Sequence, residues 1–201
     1  RGVPFSVNRG EVLSIIGPNG AGKTTVFNLI SGFYSPTEGE IRFKGEVINR
    51  LKPHQRALRG LGRTFQIVKP FPGLSILENV MVGAFARTNS VDEAREEAMR
   101  ILEFVGLEGR AHLLASTLTL AGRKRLEVAR ALATKPDLIL LDEVSAGLNP
   151  TEVEEMIRLL RQLADMGIGS VAGVEHVMQV VMTISDRVVV LNHGEIGRAH
   201  V

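Results

Sequence analysis

The sequence predicts an α/β fold, with a mostly parallel sheet flanked by helices and a helical subdomain inserted in its middle. Three observations carry this. Short apolar runs of strand length recur along the chain, among them Val12 to Ile16, Leu138 to Leu141 and Val188 to Leu191. Helix signals lie between such runs, and alternating strands and helices argue for a parallel sheet covered by helices. Between about residues 69 and 133 the character changes, with one helix signal following another. The expected organisation is a single domain whose core is formed by about 1–68 and 134–201, with the helical subdomain at about 69–133.

The elements follow in order. Val3, Phe5 and Val7 alternate with polar neighbours; Val12 to Ile16 is a buried strand ending at Gly17. A helix is expected from about Gly22 to Ser31, closed by Gly32, then a turn at Pro36-Thr37-Glu38-Gly39 and a half-buried strand through Ile41 and Phe43. Leu51 to Gly60 reads as a short helix and Arg63 to Gln66 as a strand. Ser75 with Glu78, and Ser90 with Glu93, are capping-box patterns in which each side chain satisfies a backbone N–H at a helix start. They open helices that end near Phe85 and Gly106. A third helix is expected from about Arg123 to Thr134, stopping before Pro136. Asp137 to Leu141 returns to strand, Asn149-Pro150 opens a helix with Pro at its tolerated first position, and Gly169 to Val174 and Arg187 to Leu191 are further strands.

Composition excludes little but usefully. With 24 basic and 22 acidic side chains the net charge is +2, too even to argue for nucleic acid. The chain has no Cys, which is compatible with a reducing cytosol. Its longest apolar runs are strand-sized, far short of the roughly 20 residues of a membrane helix, and no signal peptide is visible. A membrane role is therefore expected through a partner. The opening without Met and the stop after Asn192-His193-Gly194 suggest trimming at both ends.

Gly17-Pro18-Asn19-Gly20-Ala21-Gly22-Lys23-Thr24 fits G-x-x-x-x-G-K-S/T, with Thr25 next. Phosphates crowd negative oxygens into a small volume, and a Gly-rich turn lets successive N–H groups converge on them. The helix that begins here adds its N-terminal dipole. Lys23 is expected to reach the β- and γ-phosphates of ATP, and Thr24 to offer its hydroxyl to Mg²⁺; Gly17 through Thr25 form the nucleotide-contacting set. Leu138 to Leu141 runs into Asp142 and Glu143. Ligands sit at such carboxyl ends of parallel strands. Asp142 is expected to hold Mg²⁺, and Glu143 to act as general base on an attacking water.

The remaining motifs are similar to those of the ATP-binding-cassette (ABC) proteins, and the resemblance covers nearly the whole chain. Gln66 in Arg-Thr-Phe-Gln resembles the Q-loop glutamine, Ser145 to Asn149 the D-loop, and His176 in Val-Glu-His-Val-Met the switch histidine. The resemblance implies a P-loop NTPase core of RecA-like type and ATP hydrolysis by in-line attack of water. Glu143 and His176 are the catalytic residues it implies, with Mg²⁺ held by Thr24, Gln66 and Asp142. It also implies a head-to-tail dimer, homo or hetero, in which each ATP is clamped against the signature of the partner cassette. Counting back from Arg125-Leu126-Glu127 places that signature at Leu118-Thr119-Leu120-Ala121-Gly122, so Thr119 and Ala121 join the expected nucleotide contacts. Three departures stand out. Leu120 and Ala121 replace the glycines of Leu-Ser-Gly-Gly-Gln, and Gly122 replaces its glutamine. Val144 stands where Pro usually follows the catalytic Glu. The family's adenine-stacking aromatic precedes this chain, and Phe5 fits a core position better.

Ser31-Gly32-Phe33-Tyr34, Arg63-Thr64-Phe65-Gln66, Ala146 to Pro150 and Glu175 to Met178 resemble the importers of branched-chain amino acids. Urea or amide importers and lipopolysaccharide exporters use similar phrases. The expected partners are a second ABC ATPase subunit and transmembrane permease subunits, with no nucleic acid. The expected location is the cytoplasmic face of the inner or plasma membrane, held there through the permease. An ABC ATPase acting on DNA is disfavoured, because only short helices separate the phosphate loop from the signature where that class has long coiled coils, and a translation factor with tandem cassettes is disfavoured by one cassette without a charged linker. The stretch from Ile67 to Leu74 is apolar and proline-broken, as a partner site on a surface loop can be. The resemblance from Arg63 through Val80 implies that this region, Phe71 above all, lines the groove that receives a short helix of the permease.

Overall fold

The computed structural model describes residues 3–65, 70–173 and 178–197. Its main sheet contains β1 (Val12–Ile16), β4 (Leu61–Arg63), β5 (Leu138–Asp142), β6 (Gly169–Gly173), β7 (Arg187–Asn192) and β8 (Glu195–Gly197). They lie in the order β4-β5-β6-β1-β7-β8. Every pairing is parallel except β7 with β8. The first strand thus sits between the sixth and seventh, and the loop leaving it emerges in the middle of the sheet.

The sequence of β5 shows why the sheet is covered on both faces. Ile139 and Leu141 join a large core cluster with the helices that follow, while Leu140 turns to a smaller one with Ile15, Phe27 and Leu61. Alternate side chains point to opposite faces, so a strand apolar at every position needs two covers. One cover is α1 (Lys23–Ser31). The other contains α5 (Leu120–Ala133) and α6 (Pro150–Asp165), with α3 (Ile76–Ala84) and α4 (Val91–Phe104) packed around α5. The expected short strand near Ile41 forms β2 (Arg42–Phe43), paired with β3 (Glu46–Val47) in a separate two-stranded ribbon. Two shorter helices, α2 (Pro53–Leu58) and α7 (Met178–Ile184), complete the set; α7 and β8 have no counterpart in the sequence expectations.

The caps follow the sequence with one exception. Ser75 and Glu78 form the reciprocal box at α3, with Glu78 N–H donating to Ser75 Oγ at 3.1 Å and Ser75 N–H to Glu78 Oε2 at 2.7 Å. Asn149 and Glu152 do the same at α6. At α4 only half the expected box forms. Ser90 Oγ accepts from Glu93 N–H at 3.3 Å, but the Glu93 carboxylate is taken by the Thr88 hydroxyl.

Two boundaries differ from expectation. The strand expected at Arg63–Gln66 starts earlier, at Leu61, because Gly60, at φ 103°, accepts from the N–H groups of Asp137 and Leu138 and sets the pairing there. The helix expected from Arg123 begins at Leu120, because Thr119 Oγ1 caps it by accepting from Gly122 N–H at 3.3 Å. Val174, the expected end of another strand, lies outside the described residues.

The phosphate-loop helix is fixed at its far end by a buried cation. Arg56 is 1% exposed and donates to the carbonyls of Leu29 (2.6 Å), Ile30 (2.8 Å), Leu51 (3.0 Å) and Asn49 (3.2 Å). The first two are carbonyls of the last turn of α1, where a positive charge complements the dipole.

Candidate active site

The loop from β1 to α1 has a backbone that side chains would obstruct. Gly17, Gly20 and Gly22 have φ of 156°, 79° and 103°. A Cβ on Gly17 would lie 2.2 Å from the Leu191 carbonyl oxygen, whereas one on Gly20 would meet open space. Gly17 is therefore required by close packing on β7, and Gly20 by the turn itself. Ala21, buried in the middle of the loop, accepts from Gly194 N–H at 3.0 Å and so ties it to the β7–β8 turn.

The first turn of α1 has neither a side-chain cap nor an acidic residue. Its orphan N–H groups and dipole are left to an external anion, the feature that fits this loop to a phosphate chain. Lys23 Nζ folds over the loop and donates to the carbonyls of Gly17 at 2.5 Å and Pro18 at 2.8 Å. Partial burial lowers its pKa from the ordinary lysine value, and the charge of Glu143 opposes that shift. Pro18, Asn19, Thr24 and Thr25 are exposed. Beside them Val3, Gly22, Thr25, Leu29 and His193 line a cavity of about 650 Å³. Phe5 is half-buried against the smaller core cluster, the core position expected for it.

Asp142, at the C-terminal end of β5, is 8% exposed. Its Oδ2 is 3.3 Å from Arg63 Nη2, and its N–H donates to Thr64 Oγ1 at 3.0 Å. Burial pushes its pKa up, and the Arg63 guanidinium draws it back down. Glu143 follows with φ 48°, a left-handed conformation that costs a non-glycine residue about 1–3 kcal/mol. The buried Lys124 of α5 donates to its carbonyl at 2.5 Å and over-determines this turn. Lys23 and Glu143 thus share one electrostatic environment, and Asp142 is tied to them through the sheet.

The signature segment lies apart. Thr119 Oγ1 caps its own helix, and Ala121 is half-buried in the first turn of α5. Among the described residues no hydrogen bond or ion pair joins either to Gly17–Thr25. Leu120 packs instead on Gly147, in the segment that resembles a D-loop, where a Cβ on Gly147 would lie 3.0 Å from Leu120 Cδ2. Val144, the second departure, is 5% exposed in the core. Gln66 and His176 lie outside the described residues.

A second cavity, of about 330 Å³, opens between α2, α3 and α5; Phe33, His54, Phe65, Val82 and Arg130 are among its walls. Phe71, expected to line such a groove, is not one of its walls. Its ring is 4.7 Å from the Arg130 guanidinium, and its backbone N–H and C=O are both bonded to the Asn79 side chain. Among the described residues, Phe71 meets the cavity lining at Arg130. Ile67 and Val68 lie outside the described residues.

Sequence reasoning missed Arg63, Thr64 and Lys124, which hold the acidic strand end. The available signal was a charged residue inside a strand-like run, and a lysine on the core-facing side of a helix that must bury one face.

Fold and site together define an ATP-binding protein of the P-loop class. A family model described as ABC transporter matches residues 1–146, and the chain belongs to that family. It is 42% identical to the high-affinity branched-chain amino acid transport ATP-binding protein BraF of Pseudomonas aeruginosa, over 96% of this chain and 82% of that one. It is 41% identical to the corresponding LivG protein of Escherichia coli, over 92% of this chain and 78% of that one. Among solved structures, a nucleotide-free ATP-binding cassette from an ABC transporter superposes with a TM-score of 0.87 at 32% identity, covering 99% of this chain and 85% of that one. The dimeric cassette MJ0796, bound to ADP and Pi, gives 0.87 at 31% identity, covering 98% and 88%. The chain is the ATP-hydrolysing subunit of a transporter.

Proposed function

We propose that the chain energises import of branched-chain amino acids. The observation that carries the cargo is the 42% identity, over 96% of the chain, to a protein named for that transport. The phrases Arg63 to Gln66 and Ala146 to Pro150 support the same reading. The cassette works from the cytoplasmic face of the membrane, docked on permease subunits. It forms a head-to-tail dimer with a second cassette. Its core is about 1–68 and 134–201, and its helical subdomain about 69–133.

ATP is the substrate. Gly17 to Thr25 receive the phosphate chain on backbone N–H groups, with Lys23 released from the Gly17 and Pro18 carbonyls to the β- and γ-phosphates. Thr24, Gln66 and Asp142 would hold Mg²⁺, and a bound Mg²⁺ would supply positive charge to the phosphate oxygens. Glu143 orients and deprotonates the attacking water, and His176 and Lys23 stabilise charge on the transferring group. The partner cassette supplies its own Thr119 and Ala121 to each ATP, as the resemblance of this segment to the signature implies. The test is ATP-driven uptake of radiolabelled leucine by vesicles holding the assembled transporter, with urea as the competing cargo. Uptake of leucine, lost on chelating Mg²⁺, supports the reading. ATP hydrolysis stimulated by urea but not by leucine, isoleucine or valine would reassign the cargo.

A further inference from the structure

Arg63 is a buried cation that joins the phosphate-loop helix to the acidic strand end. Its side chain is 8% exposed. One terminal nitrogen, Nη1, donates to Asn28 Oδ1 at 2.8 Å and Ser31 Oγ at 2.6 Å, both on α1. The other, Nη2, donates to Asp142 Oδ2 at 3.3 Å. The guanidinium carbon lies 5.0 Å from the ring centroid of Phe65, 5.6 Å from that of Phe33 and 5.9 Å from that of Phe27. Three aromatic faces at this range stabilise a cation that has one carboxylate and no water-like exposure.

The planar fork makes the arrangement specific. Arg presents its donors in a fixed geometry, so binding Asn28 and Ser31 with one nitrogen determines where the other points. We propose that Arg63 is a positioning residue for the metal-binding carboxylate, fixing Asp142 against the phosphate-loop helix and so setting the distance between Asp142 and Thr24. The proposal rests on the Mg²⁺ role read above for those two residues. The neighbouring contacts brace the same joint. Thr64 Oγ1 accepts from Asp142 N–H, and Phe65 N–H donates to Glu127 Oε1 of α5 at 2.9 Å. The orientation leaves Oδ1 of Asp142 as the oxygen not engaged by the guanidinium.

The experiment uses the assembled transporter with the intact chain. Mn²⁺ binding is read by electron paramagnetic resonance in the presence of a non-hydrolysable ATP analogue, and analogue binding is measured separately in chelator. Arg63→Met should raise the Mn²⁺ half-saturation about tenfold or more, as loss of an outer partner of a metal ligand does, and leave metal-free analogue binding unchanged. Arg63→Lys keeps the charge but not the fork and should fall between. Loss of a positive charge alone would attract Mn²⁺ more strongly, so a lowered half-saturation overturns the proposal, as does an unchanged one in a folded variant. If Arg63→Met does not fold, Asn28→Ala with Ser31→Ala removes the α1 anchors and should also raise the half-saturation; no rise overturns the proposal. In an Asp142→Asn background Arg63→Met should add nothing, and an additive effect would mean that it acts elsewhere. Asp142→Asn alone must weaken Mn²⁺ binding. If it does not, the metal reading falls and takes this one with it; if it does while Arg63 variants are silent, only the role of Arg63 is lost.

Discussion

The phosphate loop and the signature segment are each a turn running into the N-terminus of a helix, yet they are built in opposite ways. At Gly17–Lys23 the sequence removes side chains: three glycines take positive φ, and α1 starts on Gly22 with no side-chain cap. Its first N–H groups are left for a ligand. At Leu118–Gly122 the sequence keeps side chains. Thr119 caps α5 by accepting from Gly122, and Leu120, 45% exposed, leans on Gly147. One helix start is unsatisfied until an anion arrives; the other is closed within its own chain. The difference teaches that the two helix starts are suited to different tasks: one is left open to an anion, and the other is already satisfied within its own chain.

The largest expected effect lies on the phosphate side. Glu143→Gln keeps the side-chain shape and the strained turn that Lys124 supports, but removes the proposed base. Hydrolysis by the assembled transporter should fall by roughly 10²- to 10⁴-fold, the usual range for general-base loss, while ATP binding survives. ATP should then hold two cassettes together longer, which size-exclusion chromatography with ATP would reveal. Normal turnover would mean that Glu143 is not the base. Next in size is Lys23→Ala. Removing a charge-assisted contact to two phosphates should weaken Mg-ATP binding by about 100-fold or more. Calorimetry on the monomeric cassette checks this, because the phosphate loop needs no partner. If affinity is kept in the monomer, the contrast between the two helix starts is wrong.

Gly17→Ala tests the backbone itself. The added Cβ would lie 2.2 Å from the Leu191 carbonyl oxygen, and carbonyl backbone cannot swing away as a side-chain tip can. Stability should drop by about 1–3 kcal/mol, as for other overpacked sites, with loss of ATP binding in whatever remains folded. Thermal melting with and without ATP separates the two effects. A variant with wild-type melting would show that the loop relaxes easily.

Sequence legibility follows the same divide. The phosphate loop was readable because all its parts are contiguous and its rule concerns backbone, which only glycine permits. The strand ending in Asp142 and Glu143 was readable for the same reason, as an apolar run with a polar end. Arg63 with Asp142, 79 residues apart, was not, since nothing local says that a strand arginine will find a carboxylate on the next strand. The same holds for Lys124 with Glu143 and Leu120 with Gly147. The early start of α5 was missed because Leu120-Ala121-Gly122 was read against a glycine-rich loop. Leu and Ala are good helix formers, and Thr119 supplies the cap. Phe71 was expected to line a permease groove from the family resemblance and from its apolar neighbourhood; its backbone bonds to Asn79 and its stacking on Arg130 required the fold.

The smallest expected effect lies on the signature side. Leu120→Gly with Ala121→Gly tests what the two departures do. Neither residue has positive φ, and both begin a regular helix, so glycine is not needed to shape this segment. What glycine offers is room for the partner's phosphate to approach the first turn of α5. Two opposing consequences follow. The helix start loses roughly 1 kcal/mol per glycine, and Leu120 no longer presses on Gly147, so the cassette should melt at a lower temperature. In the assembled dimer, one better-formed hydrogen bond to the γ-phosphate, worth about 0.5–1.5 kcal/mol, should raise turnover by up to about tenfold. ATP binding by the monomer should not change if this surface faces a second cassette, as proposed. Turnover that rises in the dimer with unchanged monomer affinity would place the side chains of Leu120 and Ala121 between the two cassettes. If turnover falls in step with thermal stability, Leu120 acts as a brace on the D-loop, and the side chains are what this closed helix start requires.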